Sequence, residues 1–284
     1  MARLFDNNAA NYMSRGSVNL GFNGATACSF AFWVNLTALN ITAQQSCIAK
    51  PFTTDHTLNA RFTVNASTLT LGFDNTSLSQ WPTWVSNTSL GTGSWTRVLF
   101  AWARSAGTGA DGILYLNGVA TTCTFTANGY AGTFTMAEGS NTLAYGIGGD
   151  LATKSLNGAL AWVCVWNRQL TATEALVDYN DARSISLGRI HCVECNSDTD
   201  ISGYGNDMTV TGTLADAGFE PTQREGSFLN MAQADYPGAG PKSPAVRFYK
   251  SPTGITTPIP STVVFRKTLS SIGTRTGSRQ VQYS

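Results

Sequence analysis

The sequence predicts an all-β sandwich with one short helix and an extended C-terminal arm, and three observations support this prediction. Up to about residue 165, short segments rich in aromatic and branched residues are separated by turns of Gly, Asn and Thr. A single clear helix signal occurs, whereas a parallel α/β sheet would need a helix between most strands. Only 12% of the 284 residues are charged, although long surface helices normally carry more Lys and Glu. The 42% of apolar residues is enough to bury the core of one large domain.

The first strand-like segments differ in how completely their faces are apolar. Residues 29–39 (SFAFWVNLTAL) are rich in aromatic and branched side chains and are predicted to form a central strand, while residues 61–73 alternate more loosely. Both alternating faces of residues 94–104 (SWTRVLFAWAR) are apolar, which predicts a strand covered on each side. One face carries Val98, Phe100 and Trp102, and the other carries Leu99, Ala101 and Ala103.

A hairpin and a very hydrophobic strand follow. Residues 112–116 precede Asn117 and Gly118, a pair favoured in two-residue hairpins because both positions need a positive φ. Residues 160–166 (LAWVCVW) form the most hydrophobic predicted strand. Alternation predicts one face with Leu160, Trp162, Cys164 and Trp166, and another with Ala161, Val163 and Val165.

The helix signal is a capping box at Thr171 and Glu174. The Thr171 hydroxyl can accept from the Glu174 amide while the Glu174 side chain reaches back. Ala175, Leu176 and Tyr179 then form a short apolar stripe. A short helix that packs on the sandwich is therefore expected.

The composition changes from residue 219 onward. Seven of the nine prolines fall there, and proline removes ladder donors, so a second central sheet cannot form. From Glu220 to the end, eight basic residues stand against three acidic ones, a balance of +5 that leaves −4 on the first 219 residues. Such a tail is expected to lie on an acidic surface, although a solvated tail would carry the same charge. We divide the chain into a sandwich domain, residues 1–216, and a Pro-rich basic arm, residues 217–284, in which residues 263–267 could add a strand to a sheet edge.

Two motif-bearing stretches resemble a known family. Residues 94–98 and 112–118 are similar to a paired motif, G-x-W-x-x-V followed by G-x-L-Y-x-D/N-G, of laminin-G-like modules. Residues 157–180, with WNRQL followed by TEALVDYN, resemble the ending N-R-x-L … E … L-Y-N of the same modules. The matches cover residues 90–182, and the resemblance implies a concanavalin A-like (laminin-G-like) jelly-roll β-sandwich. It also implies one concave sheet and rim loops that bind ligands in some members.

A further stretch, residues 200–207 (DISGYGND), resembles a turn of many such proteins. In those proteins the turn usually lies before the core strands, whereas here it follows them. The packing of residues 185–218 is therefore left open.

The sequence lacks the groups that catalysis by this fold requires. Glycan-cleaving relatives carry Glu-x-Asp-x-Glu on one strand, because the reaction needs one carboxyl as acid and another as nucleophile. No such pattern occurs, and neither His56 nor His191 stands near a nucleophile motif. We predict a non-enzymatic protein with no cofactor.

The cysteines are expected to be thiols, because the chain shows no signal peptide. His191, Cys192 and Cys195 form a single Cys-x-x-Cys cluster, whereas structural zinc sites usually show two such pairs. An ordinary strand, a zinc site and a redox or cross-linking pair are the three interpretations, and the strand is the simplest. The other cysteines are predicted to be small core residues: Cys28, Cys47, Cys123 and Cys164.

Calcium is the metal that the family resemblance implies, at a rim of the sandwich. Its hard oxygen ligands could come from Asp150 or from Asp198 and Asp200. The stretch from Asp198 to Asp207 is not an EF-hand loop, because the terminal glutamate is missing.

Trp81 and Trp84 (WPTW) lie in a predicted loop. Their rings could stack on a glycan, as aromatic side chains in sugar-binding sites do. Two rings that cap the end of the sandwich would give the same sequence pattern, and this second interpretation is the simpler one.

We predict a virion structural protein of bacteriophage type, a capsid decoration (cement) protein that binds and stabilises the shell. The sandwich starts close to Met1, no export signal is visible, charge is scarce, and a basic arm follows. Assembly in the host cytoplasm, a homotrimer, and contact with the major capsid protein or other virion subunits are expected. The residues predicted to make these contacts are Arg247, Lys250, Arg266, Lys267, Arg275 and Arg279.

The alternative is a carbohydrate-binding adhesin or tail-fibre module that recognises host-surface glycans. Neither reading involves a membrane, because no apolar run approaches the ~20 residues of a span. Direct nucleic-acid binding is not expected, because the body is slightly acidic and no basic stripe is interleaved with aromatics.

Overall fold

Two antiparallel β-sheets and one short helix make up the described part of the chain. The computed structural model describes residues 2–16, 19–39, 44–52, 55–62, 66–73, 78–136, 142–146, 155–195 and 197–217, and for residues 51, 52 and 55–59 only the backbone. All of these belong to the first of the chain's two units, residues 1–228. The predicted arm lies outside the described residues, apart from residue 217, so the boundary between 216 and 217 stays a prediction.

Sixteen strands are seen in these residues. In chain order they are β1 (Arg3–Asp6), β2 (Tyr12–Arg15), β3 (Ala27–Leu36), β4 (Gln45–Phe52), β5 (Asp55–Phe62), β6 (Thr68–Gly72), β7 (Thr83–Ser89), β8 (Thr96–Ala103), β9 (Gly112–Leu116), β10 (Val119–Thr121), β11 (Cys123–Thr126), β12 (Leu143–Tyr145), β13 (Asn157–Trp166), β14 (Arg189–Val193), β15 (Thr209–Thr211) and β16 (Ala215–Asp216). The helix α1 spans Ala172–Asn180. Among the described residues no helix has the length and hydropathy needed to cross a bilayer.

The strands form two eight-stranded sheets within the described residues. Sheet A has the order β10-β9-β8-β3-β13-β1-β16, with β14 paired to β13 as well. Sheet B has the order β11-β7-β6-β5-β4-β12-β2-β15. The predicted two-sheet antiparallel jelly-roll sandwich with one helix is therefore confirmed. The segment 29–39 lies centrally, as expected, because β3 pairs with β8 on one side and β13 on the other.

Aromatic rings fill the core between the sheets. Sheet A contributes Phe30, Phe100 and Trp102, while Phe73 and Trp84 come from the side of sheet B, and all five are buried. Neighbouring ring centroids in this group lie 5.1 to 6.4 Å apart in tilted or edge-on geometries, which aromatic pairs prefer. The period-2 alternation of the strands directs these residues into one layer.

The outer face of sheet A is buried too. Leu99 and Ala101 of β8 lie in a second apolar cluster with residues of β13 and α1, so the prediction of a strand covered on both faces is confirmed. A buried ion pair holds α1 on this face. The Arg97 guanidinium donates through Nε and Nη2 to the two Asp178 carboxylate oxygens, each at 2.7 Å, and through Nη1 to the Trp162 carbonyl at 2.6 Å.

The alternation predicted for residues 160–166 is wrong at its start. Leu160 lies in the inter-sheet core with Val163 and Val165, whereas Ala161 and Trp162 both lie on the outer face. The pairing of β13 with β3 shifts register between Ala161 and Cys164, and Trp162 has a φ of 49°. A β-bulge places two successive residues on one side, which a strict period of 2 cannot predict.

The local signals for the hairpin and the helix are confirmed. Asn117 and Gly118 have φ values of 52° and 79° and join β9 to β10. At α1, the Glu174 amide donates to the Thr171 hydroxyl at 3.2 Å, and the Thr171 amide donates to the Glu174 carboxylate at 2.9 Å. The predicted apolar stripe is wrong in one member, because Leu176 is 41% exposed; Ala175 is buried as expected, and Asp178 is buried with it.

Candidate functional site

The two tryptophans predicted together as a glycan-stacking pair have different environments. Trp84 is 1% exposed, so stacking on a ligand is wrong for this residue. It lies in β7, where alternation turns it into the core, and its indole Nε1 donates to the Gly109 carbonyl at 2.8 Å. Trp81 precedes β7 and is 44% exposed. The structure therefore separates a core tryptophan from a surface tryptophan.

The backbone at Trp81 is fixed by the segment that follows β11. The Trp81 amide donates to the Asn128 carbonyl at 3.1 Å, and Asn128 Nδ2 donates to the Trp81 carbonyl at 3.0 Å. Gly129 permits this approach, because a Cβ at that position would lie 2.5 Å from the Ser79 carbonyl oxygen. Because the backbone at Trp81 is already fixed, a ligand that binds the indole does not have to order the backbone as well.

Three loops meet at this end of the sandwich, and we call them the rim: residues 78–82, 104–111 and 127–134. One buried carboxylate joins two of them. Asp111 accepts from the Tyr130 hydroxyl at 2.7 Å, from the Ser105 hydroxyl at 2.7 Å, and from the backbone amides of Ser105 and Gly107 at 3.0 Å each. The Tyr130 hydroxyl accepts in turn from Trp102 Nε1 at 3.0 Å. This network anchors the rim to β8.

The electrostatics of Asp111 follow from these contacts. Burial by itself would raise the pKa of its carboxyl, but hydrogen bonds from Ser105, Tyr130 and backbone amides lower the pKa to about 2. Burial, followed by the hydrogen bond to Asp111, raises the pKa of Tyr130. At neutral pH the rim therefore contains an ionised carboxylate and a neutral phenol, both already engaged.

The rim loop 78–82 exposes two large apolar side chains, Leu78 and Trp81. Leu78 is 41% exposed beside Trp81. Gln80 is 8% exposed, and its Oε1 has no hydrogen-bond partner among the described residues. Sequence reasoning singled out Trp81 but missed Asp111 and Tyr130, because the contacts between these loops join residues 19 to 47 positions apart.

The cysteine cluster does not form the predicted set of thiols. Cys164 and Cys192 are opposite each other in β13 and β14 and are joined in a disulfide, which corrects the expectation that both are thiols. Cys192 is thus bonded to Cys164 and not available to bind zinc with Cys195. Cys28 and Cys47 are buried free thiols, as predicted for small core residues, and Cys123 is half-buried.

The residues proposed for calcium make other contacts. Asp200 accepts from the Cys192 amide at 2.9 Å and from the Ser202 hydroxyl at 2.7 Å, while Asp198 lies 4.0 Å from Arg3. Asp150 lies outside the described residues. Within the described ranges no group of three or more His, Cys, Asp or Glu side chains is arranged to hold a metal.

The remaining predicted site residues are His191 and the basic residues of the arm. His191 is fully buried in β14, with its Nε2 hydrogen-bonded to the Tyr145 hydroxyl and its Nδ1 3.8 Å from Asp200. Burial lowers the pKa of His191 to about 4, so the ring is neutral in the folded protein. The basic residues proposed for capsid contact all lie outside the described part of the chain: Arg247, Lys250, Arg266, Lys267, Arg275 and Arg279.

Comparison with known proteins places this geometry in a family. The family model for the concanavalin A-like lectin/glucanases superfamily matches residues 7–175. A search of the curated proteins finds no match. Among solved structures, a provisionally assigned carbohydrate-binding protein from Bacteroides ovatus is similar at 14% identity with a TM-score of 0.54. The alignment covers 75% of this chain and 59% of that protein, so the chain spans less than two thirds of it.

Two other solved structures are similar to the chain with lower TM-scores. The heptameric SAP-like pentraxin of Limulus polyphemus is 15% identical with a TM-score of 0.45, and the alignment covers 73% of this chain and 95% of the pentraxin. Domains LG4-5 of the mouse laminin α1 chain are 13% identical with a TM-score of 0.43, at 60% and 43% coverage. The match of the family model to more than half of the chain, on a two-sheet jelly roll, identifies the protein as a member of the concanavalin A-like lectin/glucanase superfamily.

Proposed function

We propose that the protein is a non-enzymatic glycan-binding module whose binding surface is the rim around Trp81. The observation that carries the proposal is an exposed indole whose backbone is fixed by two hydrogen bonds to Asn128. The superfamily includes lectins as well as glucanases, both of which bind glycans, and the Bacteroides ovatus protein has a provisional carbohydrate-binding assignment. Both points favour the adhesin alternative over the capsid-cement prediction.

The chemistry of the rim favours a neutral glycan. The two charged residues in its three loops are Arg104 and Asp111, and both are engaged within the protein. Arg104 Nη1 donates to the Phe134 carbonyl at 2.8 Å, and the Asp111 oxygens are held by Ser105, Gly107 and Tyr130. Arg104 is the one cation in these loops and its guanidinium donates to the Phe134 carbonyl, whereas the apolar face of a neutral pyranose can pack on the Trp81 ring.

The same arrangement argues against glycan cleavage at the rim. Hydrolysis needs two carboxyl groups on either side of the scissile bond, one of them protonated at working pH. Asp111 is the one carboxylate in the rim loops, it is 2% exposed, and its pKa is about 2. It can therefore neither donate a proton near neutral pH nor reach a substrate. We propose binding without turnover.

A glycan array tests the proposal. The wild-type protein should bind one class of neutral glycans saturably, and Trp81→Ala should lower that affinity by about tenfold or more, as loss of a central aromatic contact does. Trp81→Phe should retain part of the binding. Val119→Ala removes another exposed apolar side chain, at the start of β10, and serves as the matched control. Wild-type binding that survives Trp81→Ala unchanged would refute the proposal.

The capsid-decoration hypothesis depends on residues outside the described part of the chain and stays a prediction. It is compatible with glycan binding only if the module is exposed on a particle, as in a tail fibre. Deletion of residues 220–284 tests it: the truncated protein should remain folded and should no longer attach to particles. Unchanged particle attachment would contradict the hypothesis.

A further inference from the structure

The end of the sandwich that carries the rim also carries a second exposed aromatic residue, Tyr204. At this end of sheet A, Ala27 pairs with Ala103, and Trp166 pairs with both Ser29 and Arg189. The rim loop 104–111 follows Ala103 directly. Residues 200–202 run antiparallel beside β14, from Val193 towards Arg189, and so lead to the same end.

The turn that presents Tyr204 is held rigidly at its base. The Asp200 carboxylate accepts from the Cys192 and Ser202 amides at 2.9 Å each and from the Asn206 amide at 3.0 Å. The Asp200 amide donates to Asp207 Oδ1 at 2.8 Å, which closes the turn. The hydrogen bonds to the carboxylate lower the pKa of Asp200 against the opposing effect of burial, so it is ionised and acts as a strong acceptor.

The tip of this turn projects away from the rest of the described chain. Tyr204 is 66% exposed, the largest exposed fraction of any aromatic side chain in the described residues. Gly203 and Gly205 flank it at φ values of 92° and 70°, and a Cβ at either position would meet nothing within 4 Å. A turn that is anchored by the Asp200 carboxylate therefore presents the phenol ring of Tyr204 to solvent.

We propose that Tyr204 is a second glycan contact and that the ligand is an extended neutral polysaccharide chain engaging both Trp81 and Tyr204. The inference rests on the proposed function, because it assigns the ligand class of the same rim. Two aromatic residues at the same end of the strands, with several strands between them, suit an extended chain of repeating sugars. Once one part of the polysaccharide is bound at Trp81, another part of the same chain is held close to Tyr204 and binds there at a high effective concentration. The affinity should therefore rise with chain length once the chain is long enough to reach both residues.

A length series of neutral oligosaccharides separates the two contacts. The probes are cello-, laminari-, xylo- and manno-oligosaccharides, each from the disaccharide to the polymer, titrated by calorimetry into the full-length protein. For the series that binds, wild-type affinity should rise with length. Tyr204→Ala should leave the shortest binding member unchanged and lower the affinity of the polymer by about tenfold. Tyr204→Phe should behave as wild type, because the ring makes the contact.

The outcomes distinguish this inference from the proposed function. Trp81→Ala should weaken short and long members alike. If Trp81→Ala weakens binding while Tyr204→Ala leaves the polymer affinity unchanged, the inference is overturned and the proposed function stands. If no series binds, or if Trp81→Ala has no effect, both are overturned. Because Tyr204 is a surface residue, equal melting temperatures of the variants will show that folding is not the cause.

Discussion

Replacement of Asp111 by Asn tests whether one carboxylate holds the rim in place. The substitution keeps the size of the side chain but removes its charge and turns one acceptor oxygen into a donor. The pKa of Asp111 falls from 3.8 to about 2 in the folded protein, and each pKa unit corresponds to about 1.4 kcal/mol, so ionised Asp111 contributes about 2.5 kcal/mol to folding. The side chain is 2% exposed but lies in a surface loop, where nearby solvent screens part of the interaction, so about 2.5 kcal/mol is an upper bound.

The sign of the pH dependence makes the prediction specific. The folded-state pKa is depressed, so the contribution is present in full above about pH 4 and is lost as the pH falls towards 2. Urea unfolding of wild type and Asp111→Asn should show a difference in unfolding free energy of about 1 to 2.5 kcal/mol at pH 7 that narrows below pH 4. Asp216→Asn, in a half-exposed ion pair with Arg3, should cost less than about 0.5 kcal/mol. A gap that is small at pH 7, or constant down to pH 2, would refute the reasoning.

Three further predictions concern the scaffold. Asp178→Ala leaves Arg97 buried without its counter-ion and should lower the free energy of unfolding by about 3 to 5 kcal/mol. The double change Arg97→Met with Asp178→Leu should recover much of this lost stability. A loss below about 1 kcal/mol in Asp178→Ala would contradict the role of the buried pair. The pKa of His191 is about 4 in the folded protein against 6.5 when exposed, so the unfolded chain binds a proton first and wild-type stability should fall by up to about 3 kcal/mol between pH 6.5 and 4. In His191→Phe this loss of stability with falling pH should be absent. An unchanged pH dependence would contradict a neutral, buried His191. Thr171→Ala removes the capping box and should lower the free energy of unfolding by about 1 kcal/mol, measured by thermal unfolding. The control Thr173→Ala, at an exposed position of the same helix, should change it very little. Equal effects of the two substitutions would refute the capping role.

Much of the sandwich could be predicted from sequence because its signals are local. The alternation of residues 98–102 places their side chains correctly, since β8 is regular and covered on both faces. The capping box and the Asn117-Gly118 turn depend on residues within three positions of each other, so they too are visible in the sequence. These features need no knowledge of how distant strands pair.

The features that could not be predicted from the sequence depend on strand register and on contacts between residues far apart in the chain. Leu160 and Ala161 lie on the faces opposite to those predicted because a bulge interrupts the pairing of β13 before Cys164, and no residue type in LAWVCVW marks that position. Six cysteines allow fifteen pairings when all are bonded, and only the register of β13 with β14 sets Cys164 opposite Cys192. The arm was predicted from composition alone and lies outside the described residues.

The candidate site shows the same division. The pattern WPTW could not separate Trp81 from Trp84, because both interpretations of the pair use the same residues. The separation follows from where β7 begins: Trp84 falls on the inward face of the strand, while Trp81 lies before it and is tied to Asn128. Asp111 carries no sequence signal of its own, since its partners come from two loops that the fold brings together.

The indole N–H signals of the seven tryptophans offer the most direct test of the account. In a ¹⁵N-labelled sample the signal that disappears in Trp81→Phe identifies Trp81, and a neutral glycan selected on the array is then titrated into the wild type. The account predicts that the Trp81 signal moves saturably, while core tryptophans such as Trp84, Trp102 and Trp166, each at most 1% exposed, stay in place. Saturable binding that leaves the Trp81 signal unmoved would contradict the claim that the rim is the glycan-binding surface.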